Sequence, residues 1–563
     1  MTLQDELIAQ VTGSGAPFEL SEEEVLGERM QVFRTRPHSL RDLLMESAGH
    51  GEKEYMVRGD RRITFTGHLR SVASVAQGLA DRYQIGSGDV VAIAAANAPE
   101  WVIAFWAITS LGGIVAAFNG LWTADEMAYG VQQVEPKLLI GDRRRLERIN
   151  QNPVKLPQIE LESEFHTLEQ YAPNASLPEV SIQEDDPAVI LFTSGTTGRP
   201  KGAVVSHRAL VGFVKTQSLH GMVRVMAAAQ AQHASGAASQ ALPPLEPCAL
   251  VTVPLFHLSG LYACAIMMLA QGIKTVYRDA RFNAEDVMRL IEKEKVTIWS
   301  ALGSAPHQVL GDPAFGHYDL SSLRSVGFGG APTSPDLQRR IAEAFPTVRG
   351  NLGMGYGLSE SGGMGAIIGG SELLERPTST GRAAVGHQIE IRDDAGQPVP
   401  AGENGEIYIR SPYLMLEYWR DPEATAKTIL PGRWLATGDI GRLDEEGYLY
   451  IDSRARDMIL RSGENIYPVE IENRLDAHPL VRECAVVGIE HPSLGQEVKA
   501  IVVPIADATI KPETLGEFAG ETLAPYKIPT QWEMRVEPLP RNAAGKVIKS
   551  VLTGERTLEQ IEE

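Results

Sequence analysis

Short runs of unbroken apolar residues, separated by amphipathic stretches, recur through most of this chain. Val90–Ala95 reads as a strand, Pro99–Leu111 as a helix and Gly113–Phe118 as another strand. Val189–Thr193, Ala249–Pro254, Ile273–Tyr277, Thr297–Ala301 and Ser325–Phe328 repeat the strand pattern. A strand with one wet face alternates apolar and polar residues, whereas an unbroken run suits a strand covered on both faces. The expected class is therefore α/β, with helices over both faces of largely parallel sheets. From about Gly381 the texture changes. GENGEIYIR, EEGYLYIDSR and RDMILRSG read as strands joined by tight turns. After Arg456 comes a compact module: a strand, a helix over Val469–Ala477, strands over Cys484–Ile489 and Val498–Pro504, a further helix and a basic tail loop. The expected architecture is a large N-terminal domain (1–455) of two covered sheets plus a β-rich subdomain, then a small mobile α+β domain (456–563).

The 563 residues and 43% hydrophobic content allow several such units, at a usual ~150 residues per domain. The net charge of −20 disfavours nucleic acid as a partner. It does not exclude nucleotides, because local cations and backbone N–H groups can still hold phosphate. Three scattered cysteines, Cys248, Cys264 and Cys484, argue against a disulfide framework or structural zinc. Trp101–Phe118 is nearly long enough to span a membrane, but Gly112–Gly113, Thr109 and Ser110 interrupt it. It reads as a buried helix, turn and strand. The acidic N-terminus lacks the pattern of a signal peptide, so cytoplasmic residence with no transmembrane segment is expected. Met226–Pro247, rich in Ala, Gln and Ser, reads as a mobile surface insertion.

The strongest local signal is LFTSGTTGRPKG, Leu191 to Gly202. An apolar strand runs into Thr193, Ser194, Gly195, Thr196, Thr197 and Gly198, and Lys201 follows. Consecutive small residues let backbone N–H groups converge on an anion, hydroxyls add donors of adjustable direction, and lysine adds a compact charge. Neither a Walker loop nor a Rossmann fingerprint is present, and there is no serine-hydrolase elbow or zinc-protease motif.

This loop resembles the signature of the adenylate-forming superfamily of acyl-CoA synthetases, luciferases and peptide-synthetase adenylation domains. The resemblance continues in order through FHLSG (256–260), GGAP (329–332), GYGLSE (355–360), TGD (437–439), SRARD (453–457), SGENIYPVEIE (462–472) and PRNAAGK (540–546). It implies activation of a carboxylic acid by attack on the α-phosphate of ATP, then transfer of the acyl group to coenzyme A. Bringing two anions together calls for cations, a metal and accurate placement.

The implied roles follow residue by residue. Glu360 would ligate Mg²⁺, which favours few carboxylates plus phosphate oxygens and water. Ser359 stands where similar enzymes carry Thr and would reach the α-phosphate. Tyr356 would stack on adenine, with Gly330, Ala331 and Pro332 as the opposite wall. Met354 departs from the Gln of luciferase-like members. Asp439 would accept both ribose hydroxyls, and Arg454 would face ribose and phosphate. Lys546 matches the mobile catalytic lysine, and Arg456 the hinge. Rotation there would withdraw Lys546 and bring Gly463 and Glu464 toward a CoA site.

The acyl pocket would lie among residues 257–261, 302–305, 327–330 and 353–355, with His257, Ser304, Gly329 and Gly355 as its named candidates. These segments hold no Lys, Arg or carboxylate, which points to an apolar medium-chain, long-chain or ring-bearing acid. Two alternatives stand beside the acid–CoA ligase: a ligase loading a carrier protein, and a non-catalytic nucleotide-binding scaffold. Retention of Lys201, Glu360 and Lys546 disfavours the scaffold. A light-emitting oxygenase is a distant fourth. A homodimer is left open.

Overall fold

A computed structural model describes residues 3–555 apart from 153–154, 194–199, 236–243, 279–281, 302–304, 330–332, 455–456, 462–463, 492, 506–507 and 543–544. Two large sheets dominate it. The seven-stranded sheet runs in the spatial order Glu417–Tyr418, Lys201–Ser206, Pro187–Thr193, Ile114–Ala117, Val90–Ala94, Leu138–Gly141 and Gln158–Glu160. It is parallel from Pro187–Thr193 onward. In the nine-stranded sheet, six parallel strands fill the centre: Leu352–Tyr356, Ser325–Gly329, Ile298–Ser300, Cys248–Val251, Lys274–Tyr277 and Glu54–Arg58.

The unbroken apolar runs are explained by cover on both faces. In Val90–Ala94, Val91 and Ile93 enter the central core shared with the helices Phe65–Tyr83 and Pro99–Ser110. Val90, Ala92 and Ala94 enter a second core on the other face, beside Met127 and Leu146. The nine-stranded sheet likewise turns Val326, Phe328, Leu352 and Met354 toward Val287, Ile291, Leu337 and Ile341 of two outer helices. The layers thus alternate helix, sheet, helix, sheet, helix. Trp101 and Trp106 are fully buried between the sheets, so the apolar stretch around them is core. Among the described residues no helix is long and apolar enough to cross a membrane. The three thiols are free, and burial pushes those of Cys248 and Cys264 up to about 12.

Two smaller sheets follow. Gln388–Arg392, Gly405–Arg410, Trp434–Leu443 and Leu449–Arg454 form an antiparallel β-rich unit. The last hundred residues build another sheet around the paired strands Val481–His491 and Gly495–Pro504, with the helix Pro468–Asp476 packed on it. The insertion differs from expectation. The helix His207–Ser235 continues through the first ten residues of Met226–Pro247, because Met-Ala-Ala-Ala-Gln-Ala-Gln has high helix propensity and contains no breaker. Residues 236–243 lie outside the described set.

Candidate functional site

The phosphate loop is held at its two ends by an antiparallel pair. Thr193, the last residue of its strand, stands opposite Lys201, the first of the next. Ser194 to Gly198 lie outside the described residues. The Lys201 ammonium sits 5.1 Å from the ring centroid of Tyr418, a cation–π contact. The same tyrosine donates its hydroxyl to Glu360 Oε1 at 2.7 Å. Burial and the Glu360 charge together hold that hydroxyl protonated. Tyr418 therefore spaces the cation from the carboxylate, which would otherwise be free to collapse into an ion pair. The Met415 N–H bonds the Glu360 carbonyl at 2.9 Å, which pins the backbone.

Gly357 and Gly362 explain the turn in GYGLSESGG. A Cβ on Gly357 would stand 2.6 Å from the Gly363 backbone. Gly362 has φ +68, and its Cβ would meet the Tyr413 carbonyl at 1.9 Å. The turn leaves Ser359 buried.

From the nine-stranded sheet, Tyr356 donates its hydroxyl to Asp439 Oδ2 on the β-rich unit at 2.7 Å. Asp439 is only 6% exposed. Its N–H bonds Thr437 Oγ1 at 3.1 Å, and that hydroxyl donates to the Ile407 carbonyl at 2.7 Å. The backbone beneath the carboxylate is thus fixed, and Tyr356 holds the carboxylate itself. Asp439 lies opposite Arg454 in register.

The C-terminal lysine sits in a tight turn. Asn542 N–H bonds the Lys546 carbonyl at 2.9 Å, and Lys546 N–H bonds Asn542 Oδ1 at 3.0 Å. Arg541 anchors the turn to buried Glu483 at 2.7 Å. The Lys546 charge acts on the His257 imidazole. Burial first, and the Lys546 charge second, push the His257 imidazole down to about 4. His257 is thus neutral at physiological pH, and its Ser259 neighbour lies 3.5 Å away. Across the same junction Asp476 accepts from Cys484 Sγ at 3.2 Å and from Ser334, and burial raises its carboxyl to about 7.

The glycines of the acyl-end segments line up. Gly327 is registered with Gly353, and Gly329 with Gly355. Period-two alternation puts all four on the face turned away from Phe328, Leu352 and Met354. A Cβ on Gly327 would meet nothing within 4 Å. The result is a smooth open floor.

Of the remaining sequence candidates, Glu464 starts a strand on the C-terminal sheet and is exposed. Gly330, Ala331, Pro332, Ser304, Arg456, Gly463 and the Arg454 side chain lie outside the described residues. No group of three or more metal-ligating side chains occurs among the described residues. Sequence reasoning missed Tyr418, Thr437 and the approach of Arg224 to the glycine floor. Thr437 stood inside the quoted TGD motif and only its hydroxyl's aiming role was overlooked. Tyr418 and Arg224 carry no local signal.

Comparison with known proteins identifies the family. Residues 45–419 match the model for AMP-binding enzymes, and residues 470–546 that for the AMP-binding enzyme C-terminal domain. A feruloyl-CoA synthase from an Amycolatopsis species is 30% identical over 87% of this chain and 93% of its own. A long-chain-fatty-acid–CoA ligase from Mycobacterium tuberculosis is 31% identical over 88% and 93%. An anthranilate-CoA ligase solved with anthranoyl-AMP superposes with a TM-score of 0.81 at 25% identity, over 93% of this chain and 98% of that one. The chain belongs to the AMP-binding enzyme family, and acyl-CoA synthetases are among its relatives.

Proposed function

We propose that this protein is an ATP-dependent acid–CoA ligase. It converts a carboxylic acid and ATP to acyl-AMP and pyrophosphate, then acyl-AMP and CoA to acyl-CoA and AMP. One observation carries the reading: Lys201 and Glu360 meet on the ring and hydroxyl of Tyr418, and Tyr356 of the same GYGLSE segment bonds Asp439. In the first step Lys546 neutralises the attacking carboxylate and the α-phosphate oxygens. Lys201 follows the departing pyrophosphate, and Ser359 donates to the α-phosphate. Neutral His257 adds no competing charge where the acid enters.

Glu360 suits a magnesium ion. Tyr418 occupies Oε1 and fixes the carboxylate, which leaves an oxygen for a metal that takes its other ligands from phosphate and water. When bound, that ion neutralises phosphate charge. Asp439, aimed by Thr437, holds the ribose hydroxyls, with Arg454 beside it. The loop 194–198 cradles phosphate, and Gly330 to Pro332 wall the adenine against Tyr356.

The same reading divides the chain at residues 455–456, with Arg456 as hinge. Lys546 would leave after the first step, and Gly463 and Glu464 would approach the CoA site. One closed cleft cannot both exclude water from ATP and admit a bulky thiol. Free thiols fit a reducing compartment such as the cytoplasm. The glycine floor takes a flat ring or an extended chain.

The test offers straight-chain, aromatic and polycyclic acids with Mg-ATP, with and without CoA, and follows pyrophosphate and AMP. Acid-dependent release that needs CoA for repeated turnover is the expected result. About one equivalent released regardless of CoA would assign a carrier-protein acceptor instead.

A further inference from the structure

The acyl end of the cleft holds a cation that no carboxylate among the described residues neutralises. Arg224 projects from the long helix His207–Ser235. Its Cδ lies 3.4 Å from where a Cβ on Gly369 would stand, and Gly353 Cα lies 3.6 Å from the same point. Gly353 is registered with Gly369 on one side and Gly327 on the other. The arginine stem therefore lies against the deep row of the glycine floor at its Gly369–Gly353 end, and the row stays open over Gly327.

Burial alone pulls the Arg224 guanidinium down, with no carboxylate opposing it. Arg41, Arg148 and Arg433 are depressed by burial too. Each of those donates to carbonyls: Arg41 to Ser110 at 3.0 Å, Arg148 to Trp122 at 2.6 Å and Arg433 to Met415 at 2.9 Å. Arg224 has neither an ion pair nor a hydrogen bond among the described residues. One turn earlier on the same helix, buried His220 leaves Nε2 without a partner among the described residues. The neighbouring cation Arg382 is already satisfied, by Asp5 at 2.7 Å and Gln4 at 3.2 Å. A guanidinium partly withdrawn from water, with no anion beside it, gains from one that completes it.

Gly355 adjoins Tyr356, which bonds Asp439 at the nucleotide end. Gly355 lies two positions along the strand from Gly353, about 7 Å. An acid activated at the Gly355 end thus extends its other end toward Arg224. We propose that the acyl site selects acids carrying a second carboxylate remote from the activated one, and that Arg224 is the residue that reads it. This rests on the acid–CoA ligase reading and refines its substrate to an apolar body with an anionic tip.

The test pairs acids of equal length: adipate with hexanoate, suberate with octanoate, 4-carboxyphenylpropanoate with phenylpropanoate. Pyrophosphate release gives kcat/KM for each in wild type, Arg224→Gln and Arg224→Lys. Wild type should favour the dicarboxylate of at least one pair. Arg224→Gln should lower the ratio of dicarboxylate to monocarboxylate by about 10- to 100-fold, the loss of one charged hydrogen-bonded pair. Arg224→Lys should keep part of the preference. A wild-type preference for every monocarboxylate, or an equal loss for both classes in Arg224→Gln, overturns the proposal and leaves the ligase standing. No release with any acid, while calorimetry still records Mg-ATP binding, overturns the ligase reading itself and the substrate proposal with it.

Discussion

The nucleotide end and the acyl end of this cleft are built in different ways. At the nucleotide end the carboxylates have tyrosine partners from other strands, and a neighbouring residue fixes the Asp439 backbone. Thr437 aims Asp439, and Tyr356 bonds it. At the acyl end the floor is backbone: Gly327, Gly353 and Gly369 come from three strands and offer no functional side chain. What distinguishes one acid from another must therefore come from walls supplied elsewhere, such as the helix His207–Ser235. The first construction fixes a reaction, and the second leaves its substrate adjustable.

Acidification should expose the difference most strongly. Four buried histidines, His68, His207, His220 and His387, and two half-buried ones, His257 and His307, have pKa values pushed down from 6.5 to about 3 or 4, by loss of solvent first in each case. The unfolded chain binds their protons at higher pH than the native one, so stability should fall as pH drops from 6.5 toward 4. Asp476, raised to about 7, has the opposite sign: its contribution is present at low pH and is lost as pH rises through 7. Thermal unfolding followed from pH 7 to pH 4.5 should show a steep decrease in Tm. A flat profile would mean that these histidines are solvated.

Lys546→Ala should lower acyl-AMP formation by about 10²- to 10³-fold, the usual cost of removing a transition-state charge stabiliser. Thioester formation from chemically made acyl-AMP should survive it, a split that stopped-flow product analysis can read. Asp439→Ala should raise the KM for ATP by roughly 10- to 100-fold, equally for every acid. Gly327→Leu should leave ATP binding intact and cost bulky acids about tenfold or more relative to short ones, because the new side chain fills open floor. Tyr418→Phe should be mildest, a roughly two- to tenfold loss of turnover, since it removes one hydrogen bond to Glu360.

Much of the fold was legible because burial on both faces leaves an unmistakable pattern. Val90–Ala94 and Pro99–Ser110 differ from the sequence reading by one residue at one end. The motifs around Asp439, Glu360 and Lys546 were legible because backbone geometry confines their chemistry to contiguous residues. Tyr418 and Arg224 were not. Tyr418 meets Glu360 through an antiparallel edge pairing with Lys201–Ser206. Arg224 approaches Gly369 across 145 residues of sequence, through helix packing that no local pattern encodes. The helical start of the insertion was not read from its composition, although the helix propensity of its first residues decides it.

The most direct measurement is acid-dependent pyrophosphate release across one acid panel in wild type, Asp439→Ala and Gly327→Leu. Asp439→Ala should depress every acid by the same factor and preserve their ranking, and Gly327→Leu should reorder the ranking with the ATP KM unchanged. A reordered ranking in Asp439→Ala, or a uniform loss in Gly327→Leu, would contradict the separation of a fixed nucleotide end from an adjustable acyl end.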